Sequence, residues 1–441
     1  MDEVKSIKKY EKESNEYFES ILKMIVYSLV GIIIFFIPIN INNELKTILY
    51  HISDKIQMSY NDLLEFYIII FISLMTLKDY KRKSINKIII FLNFLSILIL
   101  IDLFYNETYL FIKDENIILI LKSIIFDLIT LLPLSSIFIP FILEYGLLEI
   151  VESYFHPITK KLFKISGKSF LNLLIFLFTD CFCGCYVANL LYSKGKLRLN
   201  ELYIVIANFS IMSLPMMIYT YDELNLKKAS FFIVIFIIII ISNIILCRLY
   251  PLNKIKKSYA VKSEYKETIH KKDKLKKAVN KYLNNKNKNK KKLCINILDN
   301  LETSISISIK VISNIVIIFF LLETLLSSET AIYALSKIFY PIINLLNLDN
   351  VYLLSESIIR MFYNNIMTIE WVTFSMDYSS RFLIGVLLAL GGISLSSNIV
   401  YLISSSLKID LKNFILIYFE RIVIILLVYS FIYYYYIGYI T

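Results

Sequence analysis

Long apolar runs recur along the chain, and short polar stretches separate them. The run at 231–246 (FFIVIFIIIIISNIIL) and the run at 422–432 are apolar on every helical face, as a helix surrounded by lipid requires. Read in this way, the pattern predicts nine spans, at 24–41, 63–77, 85–105, 117–143, 201–219, 229–249, 305–326, 381–401 and 414–436. Three polar segments keep a helical apolar face. Residues 1–23 mix Lys and Glu and predict an amphipathic cytoplasmic helix; residues 42–61 predict an outer amphipathic segment. Residues 144–168 place Leu147, Leu148, Val151, Phe155 and Ile158 on one face and predict an arm lying along the membrane surface. Pro133 and Pro140 interrupt the fourth span and predict a kink.

The stretch 169–198 fits neither class. It has the length of one span, yet Lys160, Lys161, Lys164 and Lys168 precede it and Lys194, Lys196 and Arg198 follow it. Basic clusters mark the cytoplasmic side, and a single span would put one cluster outside. Thr179 and Asp180 also fall where the hydrocarbon centre would be, and a carboxylate there is costly unless it faces protein or water. A hairpin that enters from the cytoplasm, breaks near Asp180 to Gly184 and returns removes both conflicts. The other reading is a single helix whose Asp180 faces protein.

The second half of the chain repeats the first. IVESYFHPITKKLF (150–163) resembles YALSKIFYPIINLL (333–346), with Phe155 matching Phe339 and Pro157 matching Pro341. A second polar-interrupted segment follows at 351–376. An odd number of spans separates the two, so the second arm and hairpin fall on the outer side. The expected fold is all-α: a polytopic membrane protein of about nine transmembrane helices and two re-entrant hairpins in an inverted repeat. Its parts are the N-terminus (1–23), a three-helix segment (24–116), a first repeat (117–249), a basic loop (250–304) and a second repeat (305–441). Paired broken segments in opposite orientation point to a binding site between them.

The candidate site residues follow from that geometry. Thr179 and Asp180 lie at the first tip; Glu356, Arg360, Asn364 and Asn365 lie in the second hairpin. Asn208 and Ser210 follow the first hairpin, and Ser397 and Asn398 follow the second. Arg suits a carboxylate or phosphate, and Asn and Ser suit hydroxyls and base edges. Glu356 and Arg360 are four apart and on a helix can also pair with each other.

Net charge is +11, which invites a nucleic-acid partner. Its location argues for membrane lipid instead, because residues 254–292 hold sixteen Lys against Glu264, Glu267 and Asp273. The loop, flexible around NNKNKNK (284–290) and lacking apolar anchors, predicts a topology determinant beside the membrane. Of the five cysteines, Cys181, Cys183 and Cys185 form a Cys-x-Cys-x-Cys that would suit a soft metal. No His lies near them. There is no Gly-rich phosphate loop, no metal-binding His pair and no Ser/His/Asp set, so neither an enzyme nor a cofactor is expected.

Several motifs resemble the YjiH-type bacterial inner-membrane proteins, which carry nucleoside-recognition Gate domains. The matching residues are Gly31, Phe36 and Pro38, then HPITKKLFKISGKS (156–169), YSKGKLRLNE (192–201), NFSIMS (208–213), LSSNIVYLISSSL (395–407) and the Glu420–Arg421 pair. The resemblance implies a transporter-like fold and leaves the substrate open. The expected function is secondary transport of a small polar organic solute, nucleoside-like or a small organic acid, across the inner membrane. A coupling cation and a homo- or hetero-oligomer are compatible with it. The alternatives are a non-transporting assembly protein of the spore-maturation type and a metal-ion permease using Cys181, Cys183 and Cys185.

Overall fold

The structure is a computed structural model. It describes residues 2–41, 44–81, 87–106, 109–261, 274–288, 293–326, 328–346, 350–372, 376–391, 394–405, 407 and 410–435. Among these, eight helices are long and apolar enough to cross a membrane, so the chain is an all-α polytopic membrane protein. The loop acids Glu264, Glu267 and Asp273 lie outside the described residues.

Chain order runs α1 (Asp2–Phe36), a short hairpin of β1 (Pro38–Ile41) and β2 (Glu44–Thr47), α2 (Ile48–Lys81), α3 (Lys87–Tyr105) and α4 (Glu115–Leu143). Strand β1 pairs antiparallel with β2, with Pro38 opposite Thr47. Helix α4 runs unbroken through Pro133 and Pro140. The predicted outer segment 42–61 is corrected. Most of it is the start of α2, which bends at Tyr60 and packs its polar face on α4 through Ser53–Thr130 (2.7 Å) and Gln57–Asp127 (3.0 Å). Sequence patterning saw an amphipathic segment; the structure gives its polar face another helix as partner.

The bundle has a basal end and a distal end. The base gathers Leu143, Lys168, Lys196 and Asp410: the Lys196 ammonium donates to the Leu143 carbonyl, the Lys168 ammonium to the Lys196 carbonyl, and the Asp410 amide to the Tyr203 hydroxyl. Along the base lies α5 (Leu147–Phe163), the predicted arm. Then α6 (Lys168–Phe178) rises and α7 (Cys181–Ser193) returns. Both legs of this pair therefore meet the base.

The fifth predicted span, 201–219, is not one helix. It is α8 (Leu199–Asn208), an irregular stretch through Phe209 and Ser213, and α9 (Leu214–Glu223). Pro215, at the second position of α9, helps to start a new helix rather than continue the old one. Next come α10 (Lys228–Leu246), α11 (Lys274–Lys288) and α12 (Leu293–Leu326). The basic loop was expected to be a topology determinant without apolar anchors; α11 instead docks on α5, burying Ala278 and Tyr282 and pairing Lys281 with Glu152 at 3.1 Å. Two apolar residues four apart suffice for one helical face, and the surrounding lysines hid them.

After α12 the element order of the first half recurs: a distal arm of α13 (Glu329–Ser336) and α14 (Tyr340–Asn344), then a pair α15 (Val351–Tyr363) and α16 (Asn365–Trp371). The span expected at 381–401 is also broken. It is α17 (Tyr378–Gly391), a π turn at Leu395–Ile399 and α18 (Val400–Ser404); α19 (Leu411–Tyr435) ends the described chain. Small polar side chains join the long helices, with Ser136 to Ser304 at 2.9 Å and Ser96 to Ser313 at 2.8 Å. Such contacts draw helices together where no hydrophobic force distinguishes helix from lipid.

Candidate functional site

The two broken spans lie antiparallel with their breaks side by side. At the distal end the Arg381 guanidinium donates to the Leu224 carbonyl at 2.9 Å, so the start of α17 meets the end of α9. Deeper in, the Met212 amide donates to the Ala389 carbonyl at 3.0 Å, so the start of α9 meets the end of α17. A break frees backbone groups that a continuous helix would have paired, and inside a membrane these need partners from protein.

Asn398, fully buried in the π turn, is the hub. Its amide nitrogen donates to the Ser210 hydroxyl at 2.8 Å, tying the second break to the first. Its amide oxygen contacts the Cys181 thiol at the tip of the first hairpin. Beside it, the Asn364 amide from the tip of the second pair donates to Ser396 at 3.1 Å. Ser394 closes the ring with Ser397 at 2.6 Å. Two hairpin tips and two helix breaks thus meet in one buried polar ring. Of the sequence-predicted candidates, Ser210, Asn364, Ser397 and Asn398 are brought together here.

Asp180 sits one residue from the ring. It caps α7, accepting from the Cys183 amide at 2.6 Å, which is the ordinary work of a helix-starting Asp. The Thr179 hydroxyl donates to the Ile175 carbonyl, and the Thr179 carbonyl accepts from the Tyr50 hydroxyl at 3.0 Å. Asn365 opens α16 next to the ring. Glu356 and Arg360 are elsewhere: they form an ion pair at 2.8 Å on α15, and the guanidinium lies over the Trp371 ring at 4.5 Å. Asn208 ends α8, fully buried, and neither polar atom of its amide has a partner.

Sequence reading missed a polar row on the other side of Asp180. Gln57 bridges Asp127 and Thr130 at 3.0 and 2.9 Å. Toward the strand hairpin, Lys46 pairs with Asp54 at 2.9 Å and with Glu44 at 2.8 Å. Burial pulls the Lys46 ammonium down, but the two carboxylates outweigh it and hold it above the ordinary lysine value. The available signal was Asp127, a carboxylate inside an otherwise apolar run. At the base, a groove of about 430 Å³ opens between α12 and α18, lined by Asp299, Glu302, Thr303, Lys310 and Ser404.

The three tip cysteines do not converge. Cys181 and Cys185 share a helix face, with their sulfurs 4.0 Å apart, while Cys183 faces α4 and donates to Ser135 at 3.3 Å. Among the described residues no group of His, Cys, Asp and Glu is placed to hold a metal. Compared with known proteins, the chain matches no family model, no curated protein and no solved structure.

Proposed function

We propose that this chain is a secondary transporter of a small polar organic solute, nucleoside-like or a small organic acid, in the bacterial inner membrane. The observation that carries the reading is the Asn398 ring, where both hairpin tips and both helix breaks meet. Such a ring has donors and acceptors to offer a solute once the elements part, and each element can move as a rigid piece about it. The basal end, with its lysines, is cytoplasmic by the charge rule, and with it the N-terminus. A coupling cation would use Asp180 rather than Glu356, because Arg360 already neutralises Glu356. Asp127 and Gln57 extend polar ground away from Asp180 toward the strand hairpin. This reading agrees with the resemblance to YjiH-type Gate proteins, requires no catalysis and no nucleic acid, and leaves room for a homo- or hetero-oligomer.

The test is uptake by proteoliposomes of uridine, adenosine, lactate and succinate, with and without an imposed proton or sodium gradient. At least one solute should accumulate. Asn398→Ala should lower its uptake about tenfold or more, since it removes the amide that joins both breaks and the first hairpin tip. Folded wild-type protein that moves none of these solutes would sink the transporter reading in favour of an assembly role.

A further inference from the structure

Arg421 lies in α19, a predicted span, and is almost completely buried. Its guanidinium donates to the carbonyl of Ala207, in the last turn of α8 just before the first break. No carboxylate lies within ion-pair range of it among the described residues, and its Nε has no hydrogen-bond partner. Glu420 precedes it in sequence but emerges about 100° away around the helix, and its own Oε2 is likewise unpartnered. The next residue after Ala207 is Asn208, buried with both polar atoms of its amide free. Ser210, two residues further on, belongs to the Asn398 ring.

The carbonyl end of α8 is a fitting place for a cation, but a single carbonyl uses only part of a guanidinium. Arg carries five donors in a planar fork matched to a carboxylate. An uncompensated buried charge is among the costliest features a protein can hold. An amide with neither end satisfied, in the same turn, adds a second polar group waiting for a partner.

We propose that Arg421 and Asn208 form an anion subsite at the edge of the polar ring, and that the transported solute bears a carboxylate which this pair receives. The proposal rests on the transporter reading and narrows it to small organic acids. Both side chains are sealed from solvent here, so the acid reaches them only when α8, α19 or a hairpin tip moves.

The test measures binding separately from transport, by the thermal shift of detergent-purified protein with lactate, succinate, benzoate, uridine and glucose. At least one carboxylate should stabilise the wild type, and the two neutral solutes should not. Arg421→Gln should weaken that carboxylate at least about tenfold, and Asn208→Ala, which leaves the contact between Arg421 and α8 in place, should weaken it severalfold. Arg421→Lys, which keeps the charge and loses the fork, should fall between Arg421→Gln and wild type. If Arg421→Gln does not fold, the Lys and Asn208→Ala variants carry the test. Binding of a neutral solute alone, no binding by any carboxylate, or carboxylate binding that ignores these substitutions would overturn the proposal. A carboxylate that binds through Arg421 but is not taken up by proteoliposomes would keep the subsite and discard the transporter.

Discussion

Asp180 shows how one residue can be cheap for the fold and costly for function. Its carboxylate caps α7, and Asn caps a helix about as well as Asp. Arg360, a partly buried cation that could otherwise answer a lone carboxylate, is taken by Glu356. Asp180→Asn therefore removes a charge without stranding a cation. Unfolding temperature and folded yield should stay near wild type, while gradient-driven uptake should fall about tenfold or more if the charge carries the coupling ion. Solute exchange without a gradient should fall less. A large loss of stability would show that the charge belongs to the fold. Asp180 was legible in the sequence because a lone carboxylate in an apolar run is conspicuous. Asp127 has the same signature and was passed over, because its run had already been accounted for as a span.

At the scale of elements, the first hairpin is seated by glycine. A Cβ on Gly167 would lie 2.6 Å from both the Glu152 carbonyl oxygen and the His156 amide nitrogen of α5. Those atoms are backbone in a helix and cannot swing aside. Gly167→Ala should push α6 off α5 and destabilise the protein by about 1–3 kcal/mol, read as a lower unfolding temperature in detergent. Gly184, on the returning leg, faces the Phe176 ring of α6, where a side chain can give way more readily. An unchanged unfolding temperature for Gly167→Ala would mean that this seat does not hold the hairpin. Charge on both flanks is what marked 169–198 in the sequence as something other than a plain span. The two broken spans carried no such mark. Their runs, 201–219 and 381–401, are apolar enough to pass as single helices, so Asn208, Ser210, Ser397 and Asn398 were read as candidate site residues on continuous helices and not as marks of a break. Only the partner across the bundle shows why the backbone leaves the helix, since the Met212 amide finds the Ala389 carbonyl and not its own turn.

For the molecule as a whole, the two pairs of short helices face opposite ways. Lys168 and Lys196 hold the ends of the first pair at the base. The second pair starts distally, where Tyr352 stacks on Tyr333 at 5.0 Å, and leads into α17 at the same end. Cysteines placed at Lys164 and Lys196, in a chain otherwise free of Cys, should both be labelled from one side of the membrane, and cysteines at Lys337 and Asp377 both from the other. Labelling of Lys164 and Lys196 on opposite sides would break the hairpin and reverse every element after it. The all-α, many-helix membrane character was legible because hydropathy is summed over many residues. The polar ring was not, because it joins residues far apart in sequence that no local pattern relates.

That separation matters while the protein is being made. Ser210 and its partner Asn398 are 188 residues apart. At ordinary rates of synthesis, about 10–40 s pass between the two leaving the ribosome. During that interval the first half is already entering the bilayer with its break open, its Asn208 amide unanswered and the bond from Asn398 to Ser210 not yet made. The nascent chain must shelter this polar gap from lipid until its complement arrives, whether beside the insertion machinery or against a membrane chaperone. A truncated first half has nothing to close the gap, and quality-control proteases should find it there.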